Sequence, residues 1–354
     1  MKASARAMAL LLAGSMALTA CASDEPAAES GGEGGGGGAA TEELRVGLAY
    51  DTGGRGDRSF NDSAYTGAAA ATDALGGELQ ELSPNDDASN RAQLLTQLAE
   101  QGFNPVIAVG FNYDDVIAEV APQFPDTTFA QVDGSNADGA KGDNVTGLIF
   151  AEEEGSFLAG VAAALKSESG RVGFVGGVES PLIEKFEAGY VAGAQAVNPQ
   201  ITVDRQYISP AGDFSGFNDP ARGQIVAQGM YDAGADIVYH AAGGSGLGVF
   251  QAAAASGNRA IGVDSDQYLT VSDPALQAVI MTSMLKRVDN AVEGFINDYA
   301  EGNVEGATDV LNDLSTEGID LATSGGFIDD IQGEIDQYKQ QIIDGTVTVP
   351  TTIE

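Results

Sequence analysis

The chain has 354 residues, with 16 Lys and Arg against 52 Asp and Glu, giving a formal net charge of −36. Such a surface repels nucleic-acid phosphates and anionic headgroups, so nucleic-acid binding is not expected, and the charge suits a solvated coat on a protein that works outside the cytoplasm. The length exceeds one ordinary core and calls for two domains. In chain order, the first predicted element is an export signal at residues 1–20: basic Lys2 and Arg6, an apolar run over 7–17, then Leu18-Thr19-Ala20 before Cys21. The run is too short for a membrane span, which needs about 20 apolar residues. Cys21 is the only cysteine, so no internal disulfide is available, and its place after small residues fits lipidation and an anchor in the outer face of a membrane. Residues 21–43, with glycines at every position from Gly34 to Gly38, have no apolar side chains to bury and read as a flexible linker.

From residue 44 on, apolar β-branched runs alternate with amphipathic stretches. Strands are predicted at 44–50, 78–82, 105–109, 128–132 and 145–150, then at 172–175, 201–208, 236–240, 260–263 and 278–282. Helices are predicted at 88–101, 152–166, 181–197, 220–233 and 287–299, with a further helix starting near Phe60. This alternation implies parallel sheets built from βαβ units. The series splits into two similar halves, each opening on a strand followed by glycines (Gly53-Gly54 and Gly176-Gly177). Two doubly wound halves put their strand C-termini, where open α/β sheets bind ligands, on facing edges of a cleft.

Signals for enzyme chemistry are few. His240, the only histidine, ends an apolar strand and reads as a hydrogen-bonded structural residue rather than a general base. There is no Cys/His cluster for zinc and no phosphate-binding G-x-x-x-x-G-K-[ST]. The run Gly243-Gly244-Ser245-Gly246-Leu247-Gly248 lacks the G-x-G-x-x-G spacing and reads instead as a helix start at which a ligand approaches backbone amides. The acidic loops at Asp51 to Asp57 and Asp264 to Asp266 lack the twelve-residue calcium pattern, and Arg55-Gly56-Asp57 is a tripeptide common by chance. No catalytic residue, metal or cofactor is therefore expected. The remaining signals sit at strand ends: Asp51, Phe60 and Asn61 after the first strand, Asp133 after the fourth, and Asp264 after the strand near Ile261. Taken singly each reads as structural; their shared edge makes them candidates to face a ligand.

Several segments carry a resemblance to a known family: Asp51-Thr52-Gly53-Gly54, Gly56-Asp57-Arg58-Ser59-Phe60-Asn61, Glu153-Glu154-Gly155-Ser156-Phe157-Leu158-Ala159-Gly160, Phe217-Asn218-Asp219-Pro220, Ala242-Gly243-Gly244-Ser245-Gly246, and Ile261-Gly262-Val263-Asp264-Ser265-Asp266-Gln267. In order and content they resemble the basic membrane protein (BMP) family of lipoproteins, substrate-binding components of nucleoside ABC importers. The resemblance implies an α/β, type I periplasmic-binding-protein fold: two doubly wound parallel-sheet lobes with a hinge and a ligand cleft. It implies a base held between Phe60 and Phe217, with Phe214 as the alternative second ring because the segment before Phe217 is long and polar. Asn61 and Asp133 would meet the base edge, and Asp264 and Lys286 the ribose hydroxyls. Asp51 would shape the pocket, and Gly244 and Gly246 would offer amides to the sugar end.

The expected organisation is a first lobe of 44–151 plus about 265–305 and a second of 152–264 plus about 306–354. The expected partners are a nucleoside, ABC permease subunits, and the membrane through the lipid on Cys21, with the protein itself monomeric.

Overall fold

The computed structural model describes residues 43–85 and 88–353. The expected signal, Cys21 and all of the linker before residue 43 lie outside the described residues. No helix among the described residues is long and apolar enough to cross a membrane.

The chain begins as β1 (Arg45–Ala49), α1 (Phe60–Leu75), β2 (Glu78–Leu82), α2 (Arg91–Glu100), β3 (Val106–Val109), α3 (Asp114–Val120), β4 (Phe129–Val132) and β5 (Val145–Phe150). It continues as α4 (Glu152–Lys166), β6 (Arg171–Val178), α5 (Pro181–Val197), β7 (Thr202–Ser209), α6 (Pro220–Asp232), β8 (Ile237–Ala241), α7 (Gly246–Ser256) and β9 (Arg259–Asp264). Short α8 (Gln267–Thr270) and α9 (Pro274–Gln277) lead to β10 (Ile280–Lys286), followed by α10 (Val288–Glu301), β11 (Thr308–Asn312), β12 (Ile319–Leu321) and α11 (Gln332–Ile343).

The strands form two six-stranded sheets, ordered β11-β5-β4-β3-β1-β2 and β12-β10-β9-β8-β6-β7. Every pairing of these strands among the described residues is parallel except β10 with β12. Central strands such as β3 (VIAV) are buried along their whole length, as expected where helices cover both faces, whereas edge strand β2 (ELQEL) is half-exposed and mixes Glu and Gln with Leu. The Ala-rich helix α1 stops at Gly76, which takes a left-handed conformation and donates its N–H to the Thr72 carbonyl. The two-lobed α/β architecture expected from the alternating pattern is present.

The lobe boundaries differ from the expected ones after residue 264. β10 pairs in parallel with β9 and extends the second sheet, so 280–286 does not belong to the first lobe. The chain crosses back only after Lys286: α10 packs on α1, and β11 pairs with β5 and completes the first sheet. It then returns to the second lobe as β12, beside β10. The physical reason is that β11 (TDVLN) is a short, half-exposed edge strand with no apolar run to announce it. The three lobe-to-lobe connections are tied together, Ala151 N–H donating to the Asn312 carbonyl at 3.0 Å and Arg287 N–H to that of Gly318 at 2.9 Å.

Candidate functional site

The C-terminal edges of the two sheets face each other across a cavity with about 60 Å³ of room inside it. Asp51, Asp57, Phe60, Asn61, Phe111 and Asp133 line it from the first lobe, and Ile183, Phe186, Phe217, Gly243, Asp264 and Lys286 from the second. Asp133 follows β4 directly and Asp264 ends β9, the third strand in each sheet order. Both residues have a φ of 63°, a left-handed turn that Asp tolerates better than most residues. The two halves thus present one carboxylate each from equivalent positions.

In the loop after β1, polar side chains are largely committed to one another. The Asp51 carboxylate is buried and accepts from Arg91 Nη2 at 2.8 Å, Asn112 Nδ2 at 3.1 Å and the adjacent Thr52 N–H at 2.7 Å. Asn61 Oδ1 accepts from Asp51 N–H at 3.0 Å, and its Nδ2 donates to Asp57 at 3.1 Å. Of the bonding capacity expected to meet a ligand, Asn61 therefore retains one Nδ2 hydrogen and one Oδ1 lone pair. Asp57 accepts from the N–H groups of Ser59, Asn61 and Asp62 and so caps α1, although it precedes the helix by three positions. Burial pushes its carboxyl up to about 6, against the pull of those amides.

The cavity floor holds one buried ammonium among three carboxylates. Lys286 Nζ lies 2.6 Å from Asp133 and 3.0 Å from Glu152, and Glu152 also meets Lys185 at 3.2 Å. Ser59 Oγ from the first lobe donates to Asp264 at 2.5 Å. Burial alone lowers the Lys286 pKa, but Asp133, Glu152 and Asp264 outweigh it and push it up. Burial raises Asp133 and Asp264, opposed by Lys286 in both cases and by Ser59 at Asp264. His240 is fully buried beside Gln267, with Nε2 to Oε1 at 3.0 Å; burial lowers its pKa to about 4, and the neutral ring is structural.

These shifts set the direction of a pH dependence. Asp57, Asp133 and Asp264, with Glu153 and Glu154, have folded-state pKa values above their ordinary ones, so between about pH 4 and 7 the folded chain holds more protons than the unfolded one. Stability supplied by these acids rises as pH falls through that window. His240, lowered, works in the opposite direction but is outnumbered. The thermal midpoint is expected to rise by a few degrees, on the order of 1–3 kcal/mol, between pH 7 and pH 5.5. Scanning calorimetry checks it; a midpoint that falls over this range contradicts the assignment.

The aromatic lining separates the two candidate second rings by position. Phe217 lines the cavity and Phe214 does not. A Cβ on Gly177 would meet the Phe217 ring at 2.5 Å, so glycine is what lets this ring lie against β6. Phe60 closes the first-lobe side, with Lys286 Nζ 5.3 Å from its ring centre. Of the two expected amide donors, neither Gly244 nor Gly246 is among the lining residues; their neighbour Gly243 is. A Cβ on Gly246 would collide with the His240 ring, so this glycine permits packing of α7 on β8. A Cβ on Gly244 would fall 3.4 Å from Asn218 and 3.7 Å from Asp57, placing it against the opposing lobe. Phe111, Glu152, Arg91 and Asn112 were not singled out by sequence. Phe111 follows β3 at the same edge as Asp51 and Asp133, and that position is the signal that finds it.

A family profile described as "ABC transporter substrate-binding protein PnrA-like" (Bmp) matches residues 45–352. The chain belongs to this family. It is 36% identical to the CD4+ T-cell-stimulating antigen of Listeria monocytogenes over 98% of each chain. It is 35% identical to the ABC transporter nucleoside-binding protein BmpA of Lactococcus lactis, over 87% of this chain and 90% of that protein. A solved ABC transporter solute-binding protein from Aeropyrum pernix is 28% identical, covers 88% of this chain and 94% of its own, and superposes with a TM-score of 0.74. The Bmp resemblance and the type I fold expected from sequence both hold. As a Bmp protein, the chain is the substrate-binding part of an ABC transporter, acting outside the cytoplasm with permease partners.

Proposed function

We propose that this chain captures nucleosides between its two lobes and delivers them to the permease, held at the membrane as a monomer by a lipid on Cys21. The observation that carries the reading is the joint placement of Phe60 and Phe217, from opposite lobes, with Asp264 and Lys286 in one cavity. Aromatic rings stack on any base, each contact contributing roughly 1–3 kcal/mol. A carboxylate accepts from vicinal ribose hydroxyls while an ammonium donates to them, and Asp133 and the free Nδ2 hydrogen of Asn61 remain for the base edge. The name of the Lactococcus lactis relative supports the same ligand class.

Binding without catalysis is the better reading. A nucleoside hydrolase would draw on Asp51 and Asp57, and Asp51 is tied to Arg91 and Asn112 while Asp57 caps α1. The test is mass spectrometry of small molecules released by denaturing the purified full-length protein, with a parallel incubation with inosine and uridine. Released nucleosides and no free base support the proposal. A sugar in their place, or liberated base, rejects it.

A further inference from the structure

The segment before Phe217 makes a contact between the lobes that base stacking does not explain. Phe214–Phe217 is one turn of 3-10 helix, in which side chains three apart eclipse, so the rings of Phe214 and Phe217 point the same way. The turn is fixed to the second lobe: Ser209 Oγ donates to the Asp213 carbonyl, Asp213 accepts from Ser215 N–H and Oγ, and Ser245 Oγ donates to the Gly216 carbonyl at 2.8 Å. Opposite stands Phe111 of the first lobe. It meets Phe217 edge-on at 6.4 Å and 79°, and Phe214 edge-on at 6.0 Å and 72°. The buried Arg91 guanidinium, also from the first lobe, lies 5.7 Å from the Phe214 ring centre.

We infer that Phe214 is a clasp between the lobes, an outer ring that holds the cavity shut over Phe217 and governs how fast ligand leaves. Phe217 faces the cavity, while Phe214, one turn outward, bonds the lobes to each other through Phe111 and Arg91. Other contacts between the lobes are polar or charged: Gln267 Nε2 and Thr270 Oγ1 both donate to the Arg58 carbonyl at 3.2 Å, and Lys286 pairs with Asp133. A contact made only when the lobes are closed slows opening whatever ligand is inside.

The ligand arm of the test rests on the nucleoside reading. Dissociation of guanosine and of uridine from full-length Phe214→Ala is followed by stopped-flow displacement. Release about tenfold faster than wild type, by the same factor for both ligands, is expected from losing an edge-to-face pair and a cation–π contact together. An unchanged rate overturns the clasp, and so does an acceleration several-fold larger for guanosine, which would make Phe214 a stacking ring. The second arm needs no ligand: amide hydrogen exchange across 111–113 and 214–218 is expected to quicken about tenfold in ligand-free Phe214→Ala. Equal exchange in variant and wild type overturns the clasp, whereas failure of wild type to hold any nucleoside overturns only the ligand reading.

Discussion

Lys286→Met is expected to cost about 3–5 kcal/mol of stability at pH 7, the range for removing one partner of a buried ion pair. The reason is the imbalance on the cavity floor. Lys286 is fully buried, and its ammonium is held by Asp133 from one lobe and Glu152 from the other. Methionine fills a similar space but leaves Asp133, Glu152 and Asp264 to face one another with only Lys185 nearby. Without the ammonium that opposes burial, the Asp133 and Asp264 carboxyls rise further, so the folded variant takes up protons at higher pH than wild type does. The deficit should therefore shrink as pH falls from 7 to 5. Urea unfolding at several pH values measures both effects, and a variant as stable as wild type at pH 7 would show that the cluster is already neutralised by protons.

Phe60→Ala is expected to weaken nucleoside binding by roughly 5- to 150-fold, the loss of one base-stacking contact. Phe60 starts α1 and is held in register by the Asp57 cap, so truncation removes a cavity wall without disturbing the loop hydrogen bonds. Phe60→Leu should fall between, retaining apolar cover without the π face. Titration calorimetry on the three proteins gives the ranking; equal affinities for wild type and Phe60→Ala would remove the ring from the site.

Much of the architecture was legible because parallel strands buried on both faces must read as apolar runs. β5 falls at the expected residues, as do α4 and α5, whose start at Pro181 is marked by Ser180, which caps it. The half-exposed β11 and the three-residue β12 carry no such run. β11 and β12 were not foreseen, and with them went the strand exchange that sets the lobe boundaries. At the site, Asp51, Phe60, Asn61, Asp133, Phe217, Asp264 and Lys286 meet in one cavity, through strand-end logic for the loop residues and family resemblance for Phe217 and Lys286. Gly244 and Gly246 do not line it: Gly246 packs a helix onto His240 and Gly244 lies beside Asn218 and Asp57, and in sequence such glycines look like ones that admit a ligand. Glu152 stayed hidden inside Glu152-Glu153-Glu154, a run that equally suits a helix N-terminus; only the fold turns one of the three toward Lys286.

A nucleoside seated in the cavity, base between the rings and ribose at Asp264 and Lys286, has a signature that a sugar receptor on the same fold lacks. Isothermal titration of ligand-stripped, full-length protein with purine and pyrimidine nucleosides, alongside free ribose, glucose and arabinose, reads that signature. Saturable one-to-one binding of nucleosides, absent for the sugars and lost in Asp264→Ala, is the predicted result. Silence across the nucleosides, or tighter binding of a sugar, would contradict it.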